Sequence, residues 1–346
     1  MSFGIIATLG KMAAWLTILL ATAPIMLWVE RRGSALIQDR RGPNRVGPLG
    51  LFQGLADAVK FLCKEDIIPA GADRPLYLMA PMLALVPALT TFVVIPFGPV
   101  VEIGGRAVNL LVADVDTGVL LLLALASLGV YSLVMAGYSS DNKYSLMGAV
   151  RASAQMISYE LALTLSVVAV LIPVGSFRLD VVVAAQQGTW FGFVPQWNVV
   201  PQFLGFIVFL IAAFAETNRI PFDLPEAESE LVAGYHTEYS SIKFALFFMG
   251  EYMSMATLSA LAATLYFGGW HLPGIDYTGP WVWVAIKGLM VLVAKIAMFM
   301  LFFVWVRWSF PRFRFDQLMR LGWKVLLPLA LVNLVAIAAL TVAGVL

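Results

Sequence analysis

Eight apolar runs of 18 to 26 residues divide this chain, at 12–29, 76–97, 115–138, 155–175, 199–216, 242–267, 284–306 and 325–345. A hydrocarbon core about 30 Å thick takes roughly 20 residues of helix to cross, so the lengths fit spans better than buried helices of a water-soluble core. In lipid each span must satisfy its own backbone, which leaves helices or a closed barrel. The runs lack the alternation of a barrel strand. Only 12% of the residues are charged and 61% are hydrophobic, whereas a soluble domain carries about a quarter charged. The expected fold is an all-α polytopic membrane protein with eight transmembrane helices. No internal repeat or separate soluble domain is visible, so 1–346 reads as one membrane domain. The first run lacks a basic n-region and a small-residue cleavage site and reads as a span rather than a signal peptide.

The loops are very unequal. Lys and Arg number eight in 30–75, two in 139–154 and five in 307–324, and the acid-rich loop 216–241 and its exit add Arg219 and Lys243, while the opposite side carries Lys11, Arg106 and Arg178. By the positive-inside rule the crowded loops are cytoplasmic and both termini lie outside. Trp270, Trp281 and Trp283 fit an aromatic belt on the outer side. Within the first crowded loop, residues 51–64 place Leu51, Leu55, Val59 and Leu62 on one helical face with Phe52, opposite Gln53, Asp57, Lys60 and Lys64. This segment is too short to span. It reads as an amphipathic helix in the interface or against a partner, or else as a surface helix covering the bundle.

Three charged constellations stand out. The first, ERRGSALIQDRRGPNRVGP at 30–48, holds five Arg in a short stretch, suited to bidentate pairing with phosphate or carboxylate. Topological anchoring at a span end accounts for Arg31 and Arg32, but less well for Arg40, Arg41 and Arg45 in the Gly/Pro-rich turn. The second is ETNRIPFDLPEAESELVAGYHTEYS at 216–240. Pro221 and Pro225 end the fifth span, and Asp223 followed by Glu226, Glu228 and Glu230 reads as the acidic start of a short helix. Interleaved Phe222, Leu224, Leu231, Val232 and Tyr235 imply that part of this loop is buried. A buried acidic cluster cannot be fully ionised, which is what proton exchange requires. The third set, Glu160, Glu251 and Lys295, lies on three different spans. Charges at bilayer depth are costly and point to a polar track, or to a static Glu251–Lys295 pair locking two helices.

Other chemistry is thinly represented. Cys63 is the single cysteine and there is no CxxC, so no disulfide, zinc or iron–sulfur ligation is expected, and any electron carrier belongs on another chain. His236 beside Glu238 is a weak metal or relay candidate, and His271 reads as interfacial. A net charge of +1 gives no basic balance for nucleic acid.

The segments ERRGSALIQDRRGPNRVGPLGLFQGLADAVKFLCKED and ETNRIPFDLPEAESELVAGYHTEYSSIKFALFFMGEY resemble the two signature segments of the H subunit of bacterial NADH-quinone oxidoreductase, respiratory complex I. DNKYSLMGAVRASAQMISYELAL and VRWSFPRFRFDQLMRLGWKVLLPLAL are similar to two further stretches of that family. The resemblance covers essentially the whole chain. It implies eight transmembrane helices plus an amphipathic helix, partly similar to half of an antiporter-like subunit, in a bacterial inner membrane. It implies a membrane foot beneath a peripheral arm, forming much of the quinone-access chamber and the first part of the proton path. NADH, FMN and the iron–sulfur clusters would sit on partner subunits. Quinone would be the substrate, with peripheral quinone-reducing subunits, antiporter-like membrane subunits and lipids as partners.

Residue by residue, the resemblance puts Arg31, Arg32, Arg40 and Arg41 at the chamber mouth or against the peripheral arm. Asp57, Lys60 and Glu65 fall by the quinone entrance. Glu216, Arg219, Asp223, Glu226, Glu228, Glu230 and Glu238 form the acidic loop, continued into the membrane by Glu160, Glu251 and Lys295. Arg307, Arg312 and Arg314 complete the cytoplasmic face. Coupling of quinone reduction to proton translocation would run through these acids. A related subunit of membrane-bound hydrogenases shares the acidic loop, but the Arg-rich segment with its amphipathic helix favours the quinone enzyme. An independent proton or ion transporter is disfavoured by the one-sided loops and missing repeat symmetry. A purely structural anchor would need none of Glu160, Glu251 or Lys295.

Overall fold

A computed structural model describes residues 2–103, 105–190, 192, 194–224 and 231–345. Its helices are α1 (Ser2–Ile37), α2 (Gln53–Cys63), α3 (Arg74–Thr90), α4 (Gly118–Ser139), α5 (Lys143–Val174), α6 (Leu179–Ala185), α7 (Phe203–Glu216), α8 (Ser241–Tyr266), α9 (Trp281–Ser309), α10 (Phe315–Leu321) and α11 (Leu327–Val342). A π-helical turn at Gly322–Leu326 joins α10 to α11. Among the described residues seven helices are long and apolar enough to cross a membrane, so the chain is a mostly helical, multi-pass membrane protein. The expected fifth span, 199–216, is shorter: residues up to Gln202 form turns around Pro201, and α7 has 14 residues, or about 21 Å of rise.

Local chemistry sets several ends. The Asn142 side chain accepts from Tyr144 N and opens α5, which closes on Gly175 at φ 67°. Asp73 opens α3 by accepting from Leu76 N. Several helices outrun the apolar windows that mark them. α1 continues through Glu30, Arg31 and Arg32, and α5 begins at Lys143 inside the expected loop. Helix-forming polar residues extend a span into the aqueous layer without breaking its hydrogen-bond ladder.

The core is layered around α5 and α8. α8 packs against α1, α3, α7 and α9, and α5 against α4, α7 and α11. Every residue of α8 from Met255 to Tyr266 is buried, the mark of a helix surrounded by protein. Two small antiparallel hairpins interrupt the all-helical expectation. Val101–Ile103 pairs with Arg106–Val108, and Thr189–Trp190 with Val194–Pro195. Gly105 at φ 76° turns the first of them.

α2 lies against α1, where Gly54 allows the close approach: a Cβ there would stand 2.6 Å from Pro24 Cβ. Its orientation is the reverse of a helix covering the bundle. Gly54 and Asp57 face inward, while Leu55, Val59 and Leu62 are exposed, Leu62 by 68%.

Candidate functional site

One end of the bundle is held by one buried ion network that draws on four segments. Glu30 ends the apolar part of α1. Arg219 follows the turn after α7. Glu251 and Tyr252 lie on α8 and Arg307 near the end of α9. Arg219 Nη1 donates to Glu30 Oε2 at 3.3 Å and Oε1 at 3.4 Å, and its Nε pairs with Glu251 Oε1 at 2.7 Å. Tyr252 Oη donates to Glu30 Oε2 at 2.7 Å, and Arg307 Nη1 pairs with Glu30 Oε1. The Arg219 guanidinium also covers the Tyr252 ring at 4.7 Å. Burial works against the Arg219 charge, but Glu251 and then Glu30 outweigh it and hold the guanidinium firmly protonated. Two carboxylates and two guanidiniums balance, so the network is neutral as a whole although Arg219 is only 4% exposed.

Two neighbouring spaces adjoin this network. A half-open cavity of about 410 Å³ lies between α1, α2 and α8, with Pro24, Arg31, Asp57, Phe61, Phe248 and Tyr252 in its walls. Arg31 and Asp57 pair across it at 2.6 Å, and Lys60 lies 3.7 Å from Asp57. On the other side, two small cavities of about 50 and 60 Å³ share Glu216, Met156 and Ser254, and the larger also meets Glu251. Each has room for one or two waters. Glu216 is buried, its Oε2 has no hydrogen-bond partner among the described residues, and Glu160 lies near enough to repel it.

The loop after α7, loop five (217–240), is bound down at many points among its described residues. Gln155 Nε2 donates to the carbonyls of Ala215 and Phe222, both at 2.8 Å. Arg312 pairs with Asp223 at 2.8 Å, and Asn142 Nδ2 donates to Glu238 at 2.5 Å. Gly148 is what lets loop and helix meet, since a Cβ there would stand 2.7 Å from Gly234 Cα. His236 packs among Tyr235, Phe244 and Phe248, and burial pushes its imidazole down to about 4. Burial likewise raises Tyr239 to about 12. Phe222, Leu224, Leu231 and Tyr235 are buried as expected, but Val232 is exposed. Glu226, Glu228 and Glu230, with the short helix expected to carry them, lie outside the described residues.

The structure thus gathers Glu216, Arg219, Glu251 and Glu160 into one region and puts Arg31, Asp57 and Lys60 together at the cavity. Arg32 donates to Leu49 O at 3.0 Å, Arg40 is held by Gln38 and Ser34, and Arg40, Arg41 and Glu65 are exposed. Lys295 is elsewhere. Its ammonium donates to the carbonyls of Phe267 at 2.6 Å, Gly269 at 2.8 Å and His271 at 2.7 Å, and lies over Trp197. Phe267 comes sixteen residues after Glu251, about 24 Å along a helix, so the Glu251–Lys295 ion pair does not form. Glu30 and Tyr252 were not singled out in the sequence. The available signal for Glu30 was an acid at the end of a span, heading a run of Arg. Among the described residues no group of three or more His, Cys, Asp or Glu is arranged around a metal position.

A family described as NADH dehydrogenase matches residues 10–338. An NADH-quinone oxidoreductase H subunit of Geobacter metallireducens is 51% identical over 326 residues, which is 94% of each chain. The chain belongs to the H-subunit family of NADH-quinone oxidoreductase. The H subunit of Thermomicrobium roseum is also 51% identical, over 92% of this chain and 91% of its own length. NADH-quinone oxidoreductase subunit 8 of Rhodothermus marinus is 46% identical over 327 residues, 92% of this chain and 93% of its own. Of the ion network, Glu30 lies in the stretch 30–66, Arg219, Glu251 and Tyr252 lie in the stretch 216–252, and Arg307 lies beyond both, all within the matched residues.

Proposed function

We propose that this chain, as the H subunit of an H⁺-translocating NADH:quinone oxidoreductase, forms the membrane side of the quinone-access chamber and passes the effect of quinone reduction to proton translocation. The observation that carries the reading is the position of Tyr252. It stands in the wall of the 410 Å³ cavity and donates to Glu30 in the buried ion network. A change of charge in the cavity therefore has a route through the Tyr252–Glu30 hydrogen bond to Arg219 and on to Glu251.

In this reading the quinone approaches past α2, between α1 and α8. The exposed apolar face of α2 lies in the membrane interface, and α7 completes eight spans, the whole chain working as one membrane unit. Arg31, Arg32, Arg40, Arg41, Asp57, Lys60, Glu65 and Arg219 serve the chamber and its contacts with the peripheral arm. NADH, FMN and the iron–sulfur clusters belong to partner subunits, and this chain carries none of them. Two electrons delivered through the partner subunits and two protons would convert quinone to quinol. The transient negative charge draws on the network, and Glu216, Glu251 and Glu160 respond by exchanging protons through the small cavities. Asp223, Glu226, Glu228, Glu230 and Glu238 complete that response in loop five, and antiporter-like neighbours receive it. Lys295 is assigned another task, pinning the outer loop. The assembly is placed in a bacterial inner membrane with both termini outside.

The test is made on the assembled complex. Tyr252→Phe removes one hydrogen bond to a charged acceptor, worth roughly tenfold. Glu160→Gln removes an exchangeable proton. Both variants are expected to lower protons moved per NADH oxidised while the complex persists. Full coupled pumping in both would overturn the proposal.

A further inference from the structure

Away from the ion network lies a further cavity, which the quinone reading does not use. It is half-open, about 460 Å³, and lies among the segment before α4, helix α6 and the loop between α8 and α9. That is within the range of small-molecule sites, roughly 300–1,000 Å³. Its walls are apolar and aromatic, with Leu111, Val181, Trp270 and Tyr277, and its mouth is marked by exposed Val100. Tyr277 is fixed by donating to Trp270 O at 2.9 Å and accepting from Leu272 N at 3.1 Å.

The electrostatics of the wall are one-sided. Asp180 lines the cavity and its side chain keeps 32% exposure. Three carboxylates share one guanidinium: Arg178 meets Asp114 at 2.7 Å, Asp180 at 2.8 Å and Asp116 at 3.3 Å. His271 adds no positive charge at neutral pH, because burial and then the nearby Lys295 lower its pKa. Lys11 and Lys295 approach from behind the wall and spend their ammonium groups on main-chain carbonyls. Lys11 donates to Asn109 O at 3.1 Å and Leu111 O at 2.7 Å, and Lys295 to the three carbonyls of the outer loop. The same loops that shape the cavity thus already bind two ammonium groups by turning acceptors toward them.

We propose that this outer cavity binds the ammonium headgroup of a phospholipid from the outer leaflet, with the amine toward Asp180 and the acyl chains leaving past Val100 and Val181. A primary ammonium brings three donors, and the lining holds the side-chain oxygens of Asn109 and Gln187 together with Asp180, whose two oxygens each accept one bond from Arg178, at 3.1 and 2.8 Å, and keep lone pairs for a further donor. An anionic headgroup without an amine would meet three carboxylates, Asp114, Asp116 and Asp180, that the single Arg178 guanidinium only partly offsets. The bound lipid would cover the seam between α6 and the two flanking loops, a filler where the protein has none.

The test uses the purified complex in nanodiscs of phosphatidylglycerol, doped with a phosphatidylethanolamine that carries a diazirine near the top of one acyl chain. After irradiation, labelled peptides of this chain are mapped. Label is expected in 96–111 or 267–277, displaced by unlabelled phosphatidylethanolamine but not by added phosphatidylglycerol or by free ethanolamine. Ala184→Trp, which fills the cavity from α6, should abolish the label. Asp180→Asn should raise the competing concentration about tenfold, the worth of a hydrogen bond to a charged group. NADH-driven quinone reduction equal to wild type verifies assembly of each variant, and Val181→Trp replaces Ala184→Trp if that one does not assemble. Equal competition by phosphatidylglycerol, or label unmoved by the cavity-filling variant, would overturn the site. Equal competition by free ethanolamine would overturn the lipid as its occupant. None of these readouts depends on the quinone reading.

Discussion

Glu30→Gln tests the ion network most sharply, because one carboxylate there accepts from three donors. The substitution keeps the shape of the side chain and removes one negative charge. Glu251 remains against Arg219, but Arg307 loses its partner and the network is left one positive charge in excess. Glu30 is only 8% exposed and Arg219 4%, so the excess is poorly solvated. Breaking a buried pair by removing one partner costs roughly 3–5 kcal/mol. At about 1.4 kcal/mol per tenfold, the local opening of loop five should become two to three and a half orders of magnitude more frequent. Hydrogen exchange of residues 217–224 in the assembled complex reads this directly. NADH oxidation by an artificial acceptor that takes electrons before the quinone should stay intact, while quinone reduction falls. Adding Arg307→Met restores charge balance and should return part of the loss, by roughly 0.5–3 kcal/mol of coupling between neighbours. Exchange unchanged within about 0.5 kcal/mol in Glu30→Gln, the scatter of ordinary surface substitutions, would refute the claim that these pairs hold the loop.

Three other outcomes are expected. His236 is neutral when folded, with its pKa near 4 against about 6.5 when exposed. The open loop therefore binds more protons between those values, and stability present above pH 6.5 is lost as pH falls toward 4. At pH 5 the loss is about 2 kcal/mol, visible as faster exchange at 234–240, and His236→Gln should flatten the dependence. Gly148→Ala places a methyl against the backbone of Gly234 and Tyr235. An overpacking cost of roughly 1–3 kcal/mol should make loop five more sensitive to protease, and unchanged digestion would contradict the close packing. Lys295→Met leaves three carbonyls without their ammonium, at roughly 1–3 kcal/mol for each buried group left unpaired. Exchange at 267–277 should rise while protons moved per NADH stay constant, and a fall in pumping with the loop intact would return Lys295 to the proton path.

Span lengths are legible in sequence because lipid imposes a minimum apolar run, and seven of the eight expected windows lie largely within long apolar helices. α7 is the exception in length, since Pro201 turns the chain just where its window begins. α2 shows a different limit. Its periodicity correctly groups Leu55, Val59 and Leu62, but periodicity cannot say whether a face turns toward the bundle or away. Gly54 against Pro24 decides that, through a contact between separate helices. Glu30 was hidden for a related reason. Its partner Arg219 lies 189 positions away, and a local run of Arg reads as a basic segment whatever acid precedes it. Glu251 and Lys295 read as partners because each is a lone charge in an apolar helix, but the long Lys side chain turns to the carbonyls of Phe267, Gly269 and His271.

α1 carries Glu30 and Arg31 as consecutive residues of one unbroken helix, and consecutive side chains point about 100° apart. One of them grips the ion network and the other reaches Asp57 across the cavity. The helix is therefore an axle with two cranks set at an angle. A guest that levers Arg31 aside applies torque to the same shaft that seats Glu30.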